Sequence, residues 1–217
     1  MRPIDNRQTP DALDDIADLY SRNLGTYGTQ SQSVGWKDAG SHRLRFEKLA
    51  TVIQKDDAAS GYTVNDFGCG YGAMFRFLDE CVPAPLTHYW GYDISEAMIA
   101  AARSSVDDPR TSFSCAKEAI HEADYTFVCG TFNVRCESSD EAWYDYVTRC
   151  LEQLFRQSTK GLAFNLLSSY VDWKQDTLFY ADPMALFDFC KRNLSPDVAL
   201  LHDYPLYEWT MIVRRRD

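Results

Sequence analysis

The sequence contains no long apolar run. A transmembrane helix needs about 20 consecutive, mostly apolar residues, and no segment of the 217 residues approaches that length. The first five residues, Met1-Arg2-Pro3-Ile4-Asp5, also lack the apolar core of a secretory signal peptide. These absences predict a cytoplasmic protein that does not interact with membranes.

Paired metal ligands and paired cysteines are also lacking. The seven cysteines form no Cys-x-x-Cys motif, their number is odd, and several lie within apolar segments. The four histidines share no helical spacing typical of metal ligands. Since disulfide frameworks and structural zinc sites depend on such pairs, we expect buried, reduced thiols and no bound metal.

Positive charge is scarce. The chain has 22 lysines and arginines against 32 acidic residues, which gives a net charge of −10. Its one basic run, Arg214-Arg215-Arg216, lies at the C-terminus and is expected to be solvated. Because a phosphate backbone would be repelled, DNA and RNA are disfavoured as partners.

The first 60 residues predict two amphipathic helices. Apolar residues recur at helical spacing over residues 11–24, where Leu13, Ile16 and Tyr20 share one face, and over residues 40–55. A polar, glycine-containing segment (residues 25–36) separates them and is predicted to be a loop. We expect residues 1–60 to form a helical cap on a domain that spans residues 61–217.

From residue 61 onward, short apolar strands alternate with helices. Strands are predicted near residues 62–67, 87–92, 111–115, 124–129 and 161–167, and helices near 73–80, 95–103, 139–157 and 183–192. The helix at 139–157 is expected to begin with a capping box, Ser138-x-x-Glu141. The last two strands, 197–204 and 206–214, are separated only by a tight turn and must be antiparallel. This order predicts an α/β fold whose mostly parallel sheet carries one antiparallel strand.

The most informative segment is the glycine loop at residues 66–72 (DFGCGYG). Glycines are needed where a backbone turns sharply off a sheet and lies against a ligand. The next strand ends in Asp93, and a carboxylate at this position can accept hydrogen bonds from both ribose hydroxyls. Asp93 could instead cap the helix that follows.

Both features suit any ligand that contains adenosine, including NAD. The dinucleotide motif, however, has a longer second interval between glycines, whereas Gly70 and Gly72 are separated by one residue. Asp66 stands before the loop, where it would repel a pyrophosphate and is predicted to hold an amino-acid ammonium, directly or through water. The antiparallel final strand is also foreign to the standard dinucleotide fold.

At these residues the sequence resembles the class I S-adenosylmethionine-dependent methyltransferases. Residues 66–72 resemble their first motif, residues 92–98 (YDISEAM) their second, and residues 124–130 (DYTFVCG) their fourth strand with its loop. The resemblance implies a three-layer αβα Rossmann-like fold with seven strands in the order 3-2-1-4-5-7-6, strand 7 antiparallel. It implies S-adenosylmethionine as cofactor, with contacts from Asp66, Gly68, Cys69, Gly70, Asp93, Ile94, Met98, Cys129 and Gly130.

Three further cofactor contacts are less direct. Many members of the family carry an acid after the third strand that bonds the adenine amino group, and here the backbone at Ala116 or the side chain of Glu118 could take its place. Arg45 resembles an arginine that clamps the cofactor carboxylate in capped small-molecule methyltransferases; otherwise it is a surface residue of an amphipathic helix. The Trp36 ring is expected either to cover the cofactor or to pack before the second helix.

Two loops are expected to border the methyl acceptor. Residues 130–135 follow the fourth strand and lack the paired prolines of methyltransferases that act on nucleic-acid bases or glutamine amides; residues 168–173 follow the fifth strand. The acceptor candidates are Asn133, Arg135, Tyr170 and Trp173, with ordinary loop packing as the alternative for each. The predicted function is methyl transfer to oxygen or nitrogen of a small molecule by in-line displacement. A non-catalytic S-adenosylmethionine-binding regulator and an NAD-dependent oxidoreductase are the alternatives.

Overall fold

The computed structural model describes residues 10, 12–54 and 60–216, in which eight strands form one sheet. The strands run in the order β3-β2-β1-β4-β5-β8-β7, and the two-residue β6 pairs with the end of β5. Their bounds are β1 Tyr62–Phe67, β2 Leu86–Asp93, β3 Thr111–Cys115, β4 Ala123–Cys129, β5 Ser158–Ser168, β6 Tyr180–Ala181, β7 Asp197–Leu201 and β8 Glu208–Arg214.

The predicted topology is confirmed. Strands β1 to β5 pair in parallel, and β8 lies antiparallel between β5 and β7. Because β6 is an extra short strand, β7 and β8 correspond to the predicted strands 6 and 7. The turn between these two strands was predicted too short: β7 ends at Leu201, and six residues precede Glu208. Tyr204 lies within this connection, and its hydroxyl oxygen is 2.8 Å from Thr210 Oγ1 of β8.

Six α-helices and one 3-10 helix surround the sheet within the described ranges. The α-helices are α1 Ala12–Tyr27, α2 Ala39–Ala50, α3 Ala73–Cys81, α4 Glu96–Ser105, α5 Asp140–Arg156 and α6 Pro183–Asn193. The bounds of the first two helices differ from the predicted ranges, residues 11–24 and 40–55. Helix α1 continues to Tyr27, and α2 ends at Ala50; Asp11 and Lys55 lie outside the described residues. The expected loop contains the 3-10 helix Ser31–Val34.

The predicted capping box Ser138-x-x-Glu141 does not form at the start of α5. The N-cap is Ser139, whose backbone is extended and whose Oγ accepts a hydrogen bond from the Ala142 N–H at 3.2 Å. The residue three positions after Ser139 is Ala142, which has no polar side chain to complete a capping box, and the Ser138 carbonyl oxygen accepts a hydrogen bond from the Arg135 guanidinium.

Both faces of the sheet are buried, as a parallel sheet between helix layers requires. One apolar cluster joins the sheet to α1, α5 and α6, and the other joins it to α2, α3 and α4. Along β8, Met211 and Val213 belong to the first cluster and Ile212 to the second. Among the described residues, no helix is long and apolar enough to cross a membrane.

Candidate functional site

A cavity lies beyond the carboxyl ends of β1, β2 and β4. Open parallel sheets bind ligands at this edge. Its walls come from the loops after the three strands, from α1 and from α5, where Trp143 and Tyr146 line it. Its lining is mostly apolar, and Asp93 is its one carboxylate. Within the described chain, no group of three or more His, Cys, Asp or Glu side chains is arranged to hold a metal ion.

The glycine loop is tied to the end of β2 and to the loop after β4. The N–H groups of Gly68 and Cys69 both donate to the Tyr92 carbonyl oxygen, at 2.8 and 2.9 Å. Gly68 has a φ of +79°, and a Cβ there would lie 2.2 Å from Thr131 Oγ1. That hydroxyl donates to the Phe67 carbonyl oxygen at 2.8 Å. Gly68 is therefore required by its backbone conformation and by Thr131, a lining residue that the sequence did not single out.

Asp93 connects the glycine loop to the start of α4. One carboxylate oxygen accepts the Gly70 N–H and the other accepts the Ser95 N–H, each at 2.9 Å. The N-cap of α4 is Ser95, whose Oγ accepts the Met98 N–H at 3.2 Å. Burial raises the pKa of the Asp93 carboxyl above its ordinary value. Asp93 thus fixes the loop while its carboxylate also lines the cavity.

A second, smaller cavity adjoins the first and shares Gly68, Gly70 and Cys129 with it. Asp66 lines this smaller cavity and is almost fully buried. The Tyr89 hydroxyl donates a hydrogen bond to the Asp66 carboxylate. Burial, assisted by the nearby charge of Asp93, raises the pKa of Asp66 to about 7, and the Tyr89 hydrogen bond opposes this rise. Asp66 is therefore divided between its acid and carboxylate forms near neutral pH.

Helix α1 covers the larger cavity. Leu13, Ile16 and Tyr20 line it from one face of the helix, which is the apolar face that the sequence indicates. Ser21 Oγ lies 2.9 Å from Ser95 Oγ and joins α1 to the start of α4. Burial raises the pKa of the Tyr20 hydroxyl well above its ordinary value, so this side chain is a neutral part of the wall.

Arg45 is engaged by a side chain that the sequence did not indicate. Its Nε lies 2.8 and 3.0 Å from the two carboxylate oxygens of Glu208, and Nη2 also donates to Glu208. The guanidinium carbon lies 3.8 Å from the centre of the Trp36 ring. Nη1 is buried and has no hydrogen-bond partner among the described residues.

The Glu208 carboxylate extends this contact to the loop after β4. It accepts a hydrogen bond from Asn165 Nδ2 at 2.7 Å, and Asn165 Oδ1 accepts the Gly130 N–H at 2.8 Å. Gly130 has a φ of +69°, and a Cβ there would lie 2.3 Å from the Trp36 ring. We call Trp36, Arg45, Gly130, Asn165 and Glu208 the buried network. It holds the Trp36 ring, which lines the smaller cavity, against the loop that borders the larger one.

Comparison with known proteins identifies the family. Residues 64–157 match the family described as "Methyltransferase domain". The chain is 44% identical over 162 residues to "Putative methyltransferase Rv1506c" of Mycobacterium tuberculosis, an alignment that spans 73% of this chain and 96% of that protein. The chain is a class I S-adenosylmethionine-dependent methyltransferase.

Solved structures share the fold of this methyltransferase. Magnesium protoporphyrin IX methyltransferase from Synechocystis PCC 6803, with S-adenosylmethionine bound, matches with a TM-score of 0.65 at 14% identity, over 96% of this chain and 99% of its own. The DhpI complex with S-adenosylhomocysteine gives 0.62 at 13% identity, over 95% and 98%. As a member of this family, the enzyme uses S-adenosylmethionine as its cofactor.

Most cofactor residues predicted for the methyltransferase lie around the two cavities. The larger cavity is lined by Gly68, Gly70, Asp93, Ile94, Met98, Ala116, Cys129 and Gly130, and the smaller by Trp36, Asp66, Gly68, Cys69, Gly70 and Cys129. Arg45 lines neither cavity, and neither does Glu118. The Ala116 N–H already donates to the Asp93 carbonyl oxygen at 2.9 Å.

The four acceptor candidates lie outside both cavities of the methyltransferase. Asn133 is buried, and its Oδ1 accepts the Leu167 N–H at 3.1 Å. Arg135 Nε lies 2.8 Å from Asp140 Oδ1. Tyr170 and Trp173 are 67% and 68% exposed. In the structure, Asn133 and Arg135 thus take part in loop packing, whereas Tyr170 and Trp173 lie at the surface.

Proposed function

We propose that this enzyme transfers the methyl group of S-adenosylmethionine to an oxygen or nitrogen atom of a small molecule. In-line displacement needs the acceptor atom, the methyl carbon and the sulfur in one line, in a site from which water is excluded. The methyl carbon is already activated by the positively charged sulfur, so the enzyme contributes mainly position and enclosure.

The observation that carries the proposal is the cover over the cofactor cavity. Leu13 and Ile16 of α1 are buried and line that cavity, and Val34 of the 3-10 helix lines both cavities. An acceptor that reacts beneath such a cover is expected to be small. The loop after β4 (Gly130-Thr131-Phe132-Asn133) and the net charge of −10 agree with this, since neither suits a nucleic acid.

We place the reaction in the cytoplasm, because all seven cysteines are free thiols, which suits a reducing compartment. We also retain Asn133, Arg135, Tyr170 and Trp173 as acceptor-site candidates. If they act there, the loops after β4 and β5 must move toward the cavity when the acceptor binds.

Transfer of a tritiated methyl group from S-adenosylmethionine to a panel of small alcohols, phenols, amines and nitrogen heterocycles tests the proposal. Bulk transfer RNA and an unrelated protein serve as macromolecular acceptors in parallel. We expect label in at least one class of small molecule, with equimolar S-adenosylhomocysteine. Label in RNA or protein alone would contradict the proposal. Tight cofactor binding without any transfer would instead favour a non-catalytic regulator.

A further inference from the structure

His42 is a buried imidazole for which the fold provides no hydrogen bond. It lies on α2, is 9% exposed and lines the smaller cavity. Its ring packs against Phe46, with the ring centres 4.4 Å apart, and neither ring nitrogen forms a hydrogen bond with a described residue. The imidazole is therefore available for a ligand in that cavity.

The start of α3 faces the same cavity. Ala73 and Met74, its first two residues, line the cavity, and the N-cap Gly72 provides no side-chain cap. Uncapped N–H groups at a helix N-terminus attract an anion. Together with His42, they give the cavity a region suited to a carboxylate.

Asp66 gives the same cavity a second region, which is suited to a cation. Its carboxylate form attracts a cation, whereas His42 and the start of α3 attract an anion. The combination complements the amino-acid tail of S-adenosylmethionine, which carries one ammonium and one carboxylate.

Arg45 is less available than His42 for the cofactor carboxylate. Its guanidinium is paired with Glu208 and stacked on Trp36. Although its Nη1 has no hydrogen-bond partner among the described residues, Arg45 lines neither cavity. Among the residues that line the smaller cavity, His42 is the only basic side chain. Burial and the neighbouring charge of Arg45 lower the pKa of His42 to about 4, so near neutral pH its ring carries one N–H donor and one acceptor.

We propose that His42 binds the α-carboxylate of S-adenosylmethionine through its ring N–H, beside the uncapped start of α3. This assigns to His42 the contact that the sequence predicts for Arg45. The inference concerns the cofactor alone, so it does not depend on the identity of the methyl acceptor.

Calorimetric titration with two ligands tests the assignment. S-adenosylhomocysteine carries the amino-acid tail, and 5′-methylthioadenosine lacks it. We expect His42→Phe, which keeps an aromatic ring against Phe46, to weaken S-adenosylhomocysteine binding by about tenfold or more. Binding of 5′-methylthioadenosine should change by less than about twofold, which also shows that the variant is folded. His42→Gln, which keeps an N–H donor, should recover part of the loss.

His88→Phe is the matched control. The His88 ring packs against Trp90 with centres 4.2 Å apart, and His88 lines neither cavity, so both affinities should stay unchanged. An equal loss for both ligands in His42→Phe, or no loss for either, would overturn the proposal. A tail-specific loss in Arg45→Met, with none in His42→Phe, would return the carboxylate to Arg45.

Discussion

Asp93 combines two roles in one carboxylate. Its oxygens accept the Gly70 and Ser95 N–H groups, and the same carboxylate lines the cavity, where ribose hydroxyls can donate to its remaining lone pairs. The hydrogen bonds to the backbone fix the carboxylate before the cofactor arrives. Burial raises the pKa of the Asp93 carboxyl, whereas the hydrogen bonds from the Gly70 and Ser95 N–H groups lower it.

Replacing Asp93 with alanine should therefore affect both binding and folding. Two charge-assisted hydrogen bonds of roughly 1.5–3 kcal/mol each correspond to a loss of about tenfold to several thousandfold in affinity. This loss should be shared by S-adenosylhomocysteine and 5′-methylthioadenosine, because both contain ribose. The melting temperature should also fall, since Gly70 and Ser95 lose an acceptor.

Ser95→Ala is the control for Asp93, because it removes the helix cap and leaves the carboxylate. It should cost about 1 kcal/mol of stability without changing affinity for either ligand. Calorimetry paired with thermal melting separates the two effects. Unchanged affinity in Asp93→Ala would show that the carboxylate serves the fold alone.

Asp66 should make cofactor binding depend on pH. Its pKa of about 7 in the folded protein means that the carboxylate form, which attracts the cofactor ammonium, increases as pH rises through 7. From pH 6 to pH 7.5 the affinity for S-adenosylhomocysteine should rise roughly eightfold, in proportion to the ionised fraction. Affinity for 5′-methylthioadenosine should stay level, and Asp66→Asn should abolish the slope. A slope that persists in Asp66→Asn would place the titrating group elsewhere.

At the scale of elements, the buried network joins α2 to β8 and to the loop after β4. Removing one partner of a buried ion pair leaves an uncompensated charge, which costs about 3–5 kcal/mol. We expect Glu208→Gln to lose about this much free energy of unfolding. Adding Arg45→Met should recover part of it, because the stranded cation is removed. Urea denaturation of the single and double variants measures both effects.

The exposed pair Arg192 and Asp188 provides the comparison for the buried pair. Its side chains are 73% and 59% exposed, with 2.7 Å between Arg192 Nε and Asp188 Oδ2. Asp188→Asn should change stability by less than about 1 kcal/mol. A loss in Glu208→Gln as small as this would show that the buried pair contributes no more than a surface pair.

The order of elements could be predicted because local patterns carry it. The alternation of short strands with helices fixes the parallel sheet. The exact ends of elements could not be predicted, because they depend on contacts made elsewhere. The N-cap of α5 is Ser139 and not Ser138, and the Tyr204 hydroxyl in the connection between β7 and β8 contacts Thr210 of β8.

The site could be predicted only in part, for a related reason. The glycine loop and Asp93 follow strands directly, so their positions at the sheet edge follow from the topology. The partner of Arg45 lies 163 residues away in sequence, and no local pattern in the sequence connects it with Glu208. The role inferred for His42 could not be predicted either, because an isolated histidine on a helix belongs to no sequence motif.

At the scale of the whole molecule, the N-terminal segment passes over the carboxyl edge of the sheet. Helix α1 belongs to the apolar cluster on one face, and α2 belongs to the cluster on the other. The connection between them carries Val34 and Trp36 to the two cavities. We infer that this segment is a lid, since cofactor exchange requires part of it to move away from the cavity.

Locking the lid should therefore slow cofactor exchange. Ser21 and Ser95 place their hydroxyl oxygens 2.9 Å apart, across the contact between α1 and the start of α4, so cysteines at both positions are placed to form a disulfide. In the oxidised Ser21→Cys, Ser95→Cys variant, association and dissociation of S-adenosylhomocysteine should slow by at least about tenfold, and reduction should restore both rates. Stopped-flow tryptophan fluorescence measures these rates, with Trp36 at the smaller cavity as the expected reporter. Ser21→Cys alone, oxidised in the same way, controls for the seven native thiols. If the crosslinked protein exchanged cofactor as rapidly as its reduced form, α1 would be a fixed wall, and the cofactor would have to enter by another route.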